Sequence, residues 1–254
     1  MSALLEVVDL SMRFGGLLAV DGVEFSVQRE QVYAVIGPNG AGKTTVFNCV
    51  SGFYRPTRGQ VRLDGEPTHR LSSYQIARRG LVRTFQNVRL FKQMTAVENL
   101  LVAQHTQLQT GLLKGLLQTP RYRHAERHAI EKAAFWLERV GLLEQANREA
   151  GNLAYGQQRR LEIARCMITD PRLLLLDEPA AGLNPHETQE LDRLINQLRQ
   201  HHGVSVLLIE HDMSLVMSIS DQILVMENGS PIAVGPPAEI QANPRVIKAY
   251  LGEA

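Results

Sequence analysis

The sequence predicts an α/β fold with a mostly parallel sheet, an antiparallel β layer at the N-terminus, and a helical sub-domain set into the middle of the chain. Three observations predict it. Val32–Ile36, Leu173–Leu176, Val204–Ile209 and Ile223–Met226 are continuous apolar runs, the pattern of parallel strands covered on both faces. A helical stretch from about His186 to His201 joins the second run to the third, as the crossover of a βαβ unit must. Directly after the first run come Gly37-Pro38-Asn39-Gly40-Ala41-Gly42-Lys43-Thr44, a G-x-x-x-x-G-K-T loop between a strand and a helix.

That spacing lets backbone N–H groups turn inward around phosphate oxygens. The glycines stand where a Cβ would block the tight turn or the approaching phosphate. Lys43 is expected to reach the β- and γ-phosphates, and Thr44 to offer its hydroxyl to Mg²⁺. Thr45 follows within the first helical turn, whose positive end faces the anion. That helix, roughly Lys43 to Ser51, is expected to stop at Gly52, a suitable residue just past a helix end. The loop therefore predicts binding of a nucleoside triphosphate with Mg²⁺.

The remaining elements follow in order. Leu5–Val8, Val23–Val27 and Gln60–Leu63 are short or alternating, which suits an antiparallel layer. The middle, about 87–165, is rich in helix formers, and Ala129, Ala133, Trp136, Leu137 and Val140 make an apolar stripe over Ala125–Val140. Leu108, Leu112, Leu113, Leu116 and Leu117 form a second stripe, broken by Gly111 and Gly115. It suits either packing within the helical sub-domain or a partner subunit. One phosphate loop occurs without a second copy, so residues 1–254 read as one ATPase domain with the helical part inserted.

Composition narrows the function classes. Lys+Arg 27 against Asp+Glu 26 leaves a net charge of +1, so bulk charge gives no attraction for nucleic acid. Cys49 and Cys166 lack metal-ligand spacing and read as reduced, partly buried thiols of a cytosolic protein. Met1-Ser2-Ala3-Leu4-Leu5-Glu6 lacks the basic start and apolar core of a signal peptide. No uncharged apolar stretch approaches the ~20 residues needed to span a bilayer. Work at a membrane would need other subunits to supply the spanning part.

Leu173-Leu174-Leu175-Leu176 ends in Asp177-Glu178. A buried strand delivering a carboxylate beside a phosphate loop is suited to Mg²⁺, held by Asp177 largely through water. Glu178 is then placed to orient or deprotonate the attacking water.

The order of the phosphate loop, Thr84-Phe85-Gln86, Leu153-Ala154-Tyr155-Gly156-Gln157, the Asp177-Glu178 strand and Ile209-Glu210-His211-Asp212 resembles the ATP-binding cassette family over essentially the whole chain. That resemblance implies roles that the residues alone do not give. Gln86 would link Mg²⁺ and the water to the helical sub-domain, and His211 would contact the γ-phosphate. Phe14, in Arg13-Phe14-Gly15-Gly16, matches the aromatic residue that stacks on adenine. Leu153 to Gln157 match the signature that meets the nucleotide held by an opposing cassette. The plainer alternatives are an edge-sheet core residue for Phe14, a loop amide for Gln86 and a surface histidine for His211.

Two positions depart from the family pattern. Ala154 replaces a serine whose hydroxyl contacts phosphate, and Asn184, in Ala181-Gly182-Leu183-Asn184, replaces an aspartate. Met12 to Val20, Val82 to Gln86, Ala180 to Pro185 and the ending Tyr250 to Ala254 are similar to the larger cassettes of bacterial branched-chain amino acid importers. The resemblance implies a heterodimer with a smaller related cassette, two membrane permease subunits and a periplasmic or lipid-anchored solute-binding protein. It places the chain at the cytoplasmic face of the bacterial inner membrane. The rival readings are an importer of urea, short amides or other amino acids, an exporter of lipid or polysaccharide, and a soluble cassette of DNA repair or translation. The last would bring a long coiled-coil insertion or two cassettes in one chain, and neither is present.

Overall fold

Strands without alternation lie where both faces of a sheet are covered. In a computed structural model that describes residues 3–105 and 120–251, ten strands form two sheets. The N-terminal sheet is antiparallel, ordered β2-β1-β4-β5, from β1 (Leu5–Phe14), β2 (Leu17–Val27), β4 (Arg58–Leu63) and β5 (Glu66–Pro67). The second is ordered β10-β9-β3-β8-β7-β6, from β3 (Val32–Ile36), β6 (Leu81–Arg83), β7 (Leu173–Asp177), β8 (Ser205–Ile209), β9 (Gln222–Glu227) and β10 (Ser230–Gly235). Its pairings are parallel except β10 with β9. Every residue of β3, β7 and β8 is buried, as continuous apolar runs require.

The described helices are α1 (Lys43–Val50), α2 (Ser73–Arg78), α3 (Ala96–His105), α4 (Pro120–Arg139), α5 (Tyr155–Met167), α6 (Pro185–His202), α7 (Met213–Ile219), α8 (Pro237–Gln241) and α9 (Pro244–Leu251). Helix α1 ends as its sequence predicts, with Gly52 left-handed at φ +75° just past the cap. The crossover helix α6 opens on Asn184, whose side chain accepts the Glu187 N–H while Glu187 accepts the Asn184 N–H, both at 3.0 Å.

Two compact units divide these elements. One combines the chain up to Gln86 with the chain from Arg172, and the other is Asn87–Pro171. In the first, Leu5, Leu10, Val35, Phe47, Leu175 and Leu207 share one core without solvent exposure. In the second, the predicted stripe Ala129, Ala133, Trp136, Leu137 and Val140 is buried, and the Gln104 side chain donates to the Ala129 carbonyl at 2.9 Å. The buried Glu162 accepts from the Arg89 N–H at 3.1 Å and the Arg159 guanidinium at 3.2 Å. Burial pushes its carboxyl upward, and those donors oppose the shift. The Leu108 to Leu117 stripe lies outside the described residues.

The structure differs from expectation at strand limits. Strand β1 runs well beyond Val8, because Asp9 turns left-handed at φ +47° and the pairing shifts register between Val7 and Leu10. Such a bulge breaks the alternation by which a strand is recognised. Strands β5, β6 and β10 carry too little signal: two residues, three residues, and a proline at Pro231.

Candidate nucleotide site

Parallel strands deliver their following loops to one edge of a sheet. Here β3, β8 and β7 are neighbours, with Val35 and Asp177 both in register with Ile209, so the segments after Ile36, Ile209 and Asp177 converge.

The loop after β3 is shaped by its glycines. Gly37 has φ +148°, and a Cβ there would lie 2.1 Å from the Met226 carbonyl oxygen; Gly42 has φ +95°, and a Cβ would lie 2.6 Å from the Ala19 oxygen. Gly40, at φ +82°, faces open space. Two glycines thus press the loop onto neighbouring backbone while the third leaves room for a ligand. Helix α1 has no side-chain cap at Gly42, so its first N–H groups suit an anion. The Lys43 ammonium donates to the Gly37 and Pro38 carbonyls at 2.7 and 2.9 Å. Burial lowers its pKa, against the opposing pull of Glu178 and Asp177. A cleft of about 450 Å³ is lined by Asn39, Gly40, Ala41, Gly42, Lys43, Thr44, Thr45, Glu178 and His211, with Leu17, Leu18 and Ala19 as a further wall.

At the mouth of β7 three polar side chains meet. Glu178 is held left-handed at φ +48°, a conformation that costs a non-glycine residue about 1–2 kcal/mol. One of its oxygens accepts from the Gln86 amide at 2.9 Å, and the other lies 3.0 Å from His211 Nε2. With a carboxylate as acceptor, Nε2 carries the hydrogen. The structure therefore brings Gln86, Glu178 and His211 together although 125 positions separate the first from the last. Gln86 and His211 hold both oxygens of a carboxylate that lines the same cleft as the phosphate loop, a geometry that can orient a water-activating base.

Asp177 stands behind them, 4% exposed. Its Oδ2 accepts from Arg83 at 2.6 Å, and Arg83 also donates to Asn48 on α1 at 2.7 Å and to Ser51, the residue that caps α1, at 3.1 Å. The guanidinium sits 5.5–5.9 Å from the Phe47, Phe53 and Phe85 ring centres, within cation–π range. Removing one partner of a buried pair leaves the other charge unpaired. Arg83→Met is accordingly expected to lower stability by about 3–5 kcal/mol, read from urea unfolding midpoints; a loss below about 1 kcal/mol, the worth of an exposed pair, contradicts that account.

The donor set bears on Mg²⁺. Among the described residues no three His, Cys, Asp or Glu side chains gather as a metal cage. A single carboxylate, the Thr44 hydroxyl and the Gln86 amide oxygen are all hard oxygen donors, too few to hold an ion alone. They fit Mg²⁺ that arrives with phosphates and keeps several waters.

The other predicted residues are placed less directly. Phe14 is 41% exposed and packs edge-on against Tyr54 at 5.3 Å, outside the cleft lining. Gly37 and Pro38 shape the loop through backbone contacts with Met226 and Lys43. Leu153, Ala154, Tyr155, Gly156 and Gln157 open α5 in the second unit. Ala154 has no side-chain acceptor, but its N–H donates to the Gln157 side chain at 3.1 Å, which is half of a reciprocal helix cap. Asn184 uses its side chain to cap α6. Cys49 and Cys166 are buried and outside any disulfide, their thiols pushed up to about 11 and about 12, so neither is a nucleophile near neutrality. Sequence reasoning assigned no role to Arg83 or to Glu210, whose buried carboxylate accepts three backbone N–H groups.

Known proteins share this construction. The family described as ABC transporter matches residues 20–181, and the family described as branched-chain amino acid ATP-binding cassette transporter matches residues 230–254. The high-affinity branched-chain amino acid transport ATP-binding protein BraF of Pseudomonas aeruginosa is 67% identical over 251 residues, 99% of this chain and 98% of the relative. LivG of Escherichia coli K12, named for the same transport, is 62% identical over the same shares. A crystallised ATP-binding cassette of an ABC transporter in its ADP conformation superposes with a TM-score of 0.86 at 32% identity, covering all of both chains. A nucleotide-free cassette gives 0.85 at 31% identity over 99% of this chain and all of that one.

Proposed function

We propose, from the premise that this chain belongs to the ABC transporter family, that it energises an importer of branched-chain amino acids. Membership makes the chain an ATP-binding and ATP-hydrolysing protein of a transport system. The observation that carries the solute assignment is the 62–67% identity, over 99% of the chain, to proteins named for branched-chain amino acid transport.

In this reading Gly37 to Thr45 cradle the phosphates, and Lys43 turns its ammonium from the loop carbonyls to the β- and γ-phosphates. Phe14 flanks the adenine. Asp177, Thr44 and Gln86 would hold Mg²⁺, which would neutralise phosphate charge. Glu178 takes the proton of the attacking water while Gln86 and His211 fix its carboxylate, and His211 offers a hydrogen bond toward the γ-phosphate. Asn87–Pro171 serves as the helical sub-domain, presenting Leu153 to Gln157 to the ATP of a second, smaller cassette.

Among the described residues no helix is long and apolar enough to cross a membrane. Two permease subunits would supply the spanning path, a solute-binding protein would deliver the amino acid, and the cassette would sit peripherally on the cytoplasmic face of the inner membrane. Closure of two cassettes on ATP is the two-state element that drives the permeases. Affinity purification from native membranes tests this assembly. Two permeases and a second cassette should travel with the chain, and its recovery alone or with a coiled-coil repair complex contradicts the reading.

The signature offers a second test. Ala154→Ser adds a hydroxyl that can complete the cap begun by Gln157 and donate to phosphate across the cassette pair. A hydrogen bond to a charged acceptor contributes about 1.5–3 kcal/mol, so the ATP concentration half-saturating hydrolysis in the assembled transporter should fall about ten-fold or more. A rise in melting temperature without that fall means that the hydroxyl only caps the helix.

A further inference from the structure

Glu210 follows β8 directly and is 2% exposed, yet no step of hydrolysis described above uses it. Its Oε1 accepts the Ala180 N–H at 2.6 Å, and its Oε2 accepts the His211 N–H at 2.8 Å and the Asp212 N–H at 3.2 Å. These donors belong to two different segments. Ala180 lies in the turn after β7, closed by Ala181 N–H to the Glu178 carbonyl at 3.2 Å and Leu183 N–H to the Ala180 carbonyl at 3.0 Å. His211 and Asp212 open the segment after β8. A buried carboxylate persists only when donors satisfy it, and bonds to a charged acceptor are about twice as strong as neutral ones.

The two segments meet again at the reactive centre, where Glu178 Oε1 lies 3.0 Å from His211 Nε2. Glu210 thus ties the main chain behind both members of that contact. The Glu178 N–H also donates to the Ile209 carbonyl at 2.9 Å, so the residue before Glu210 holds the same turn from its other end.

We propose that Glu210 is a positioning residue, clamping the turn through Ala180 and the segment through His211 into one piece that sets the Glu178–His211 geometry for hydrolysis without contributing to nucleotide binding. This rests on the assignment of Glu178 as the water-activating carboxylate. The clamp also links His211 to the turn that runs on to Asn184. A displacement of that turn therefore moves the histidine of the same chain.

Glu210→Gln tests it with almost no change in shape. The donors face both carboxylate oxygens, so whichever way the amide turns, its NH₂ meets a backbone N–H. The expected result is ATP affinity within about two-fold of wild type and turnover in the assembled transporter reduced about ten-fold or more, the split of a group that acts after binding. Turnover within about two-fold in a folded variant, or affinity and turnover falling together, overturns the proposal. Amide hydrogen exchange of the wild-type protein tests the clamp without a variant. Segments 178–183 and 210–215 should change protection together when a non-hydrolysable ATP analogue is added, and independent responses overturn it. Were Glu178→Gln to leave turnover unchanged, the reading of the reaction would fail, while the exchange experiment would still decide whether the clamp exists.

Discussion

Glu178→Gln is expected to preserve ATP binding and to slow hydrolysis by about 10²–10⁴, the worth of a positioned general base. The amide keeps the size of the side chain but cannot take the proton of an attacking water. It also presents an NH₂ to either Gln86 or His211, which lie 2.9 and 3.0 Å from the two carboxylate oxygens. Keeping both contacts then requires Gln86 to turn its amide or His211 to change tautomer, and the water loses its orientation as well. With hydrolysis blocked, the ATP-bound cassette pair should persist long enough to be separated by size. Hydrolysis near the wild-type rate in the assembled complex assigns the proton to another group.

Lys43→Ala is expected to remove measurable ATP binding. Lys43 is 6% exposed and its ammonium stays within reach of the loop carbonyls at 2.7 and 2.9 Å, so it waits beside the phosphate position rather than in solvent. Two charge-assisted bonds to phosphate, each contributing about 1.5–3 kcal/mol, correspond to about 10²–10⁴ in affinity. The substitution also frees the Gly37 and Pro38 carbonyls that hold the loop's curve. Affinity retained within about ten-fold contradicts the loop assignment.

The phosphate loop and the central strands were legible because their physics is local. Val32–Ile36 carries apolar residues on both faces throughout, as does Leu173–Asp177 until its closing carboxylate, and the loop spacing fixes backbone direction through Gly37 and Gly42. The peripheral strands were not legible. Strand β1 loses its alternation at Asp9, β10 contains Pro231, and β6 has only three residues. Within the site, Glu178 was readable from the strand end beside the phosphate loop, but Gln86 and His211 only through their family resemblance, since no local pattern makes residues so far apart meet. Arg83 and Glu210 had no readable role at all. The partner of Arg83 lies 94 positions away at Asp177, and Glu210 reaches back 30 positions to Ala180. Both act through tertiary proximity that periodicity and spacing do not encode. Asn184, read in the sequence only as a departure from a family aspartate, caps α6 in the structure, a role that its place before Pro185 carries locally.

The central claim is that ATP hydrolysis by this chain drives uptake of branched-chain amino acids. Its most direct test is the transport stoichiometry of the purified assembly in proteoliposomes, with ATP on the cassette side and the solute-binding protein on the other. Labelled leucine, isoleucine and valine should each accumulate with ATP, stimulate phosphate release, and lose both effects with Glu178→Gln in this chain. Accumulation of urea or a short amide instead, or leucine uptake that persists undiminished with Glu178→Gln, contradicts the account.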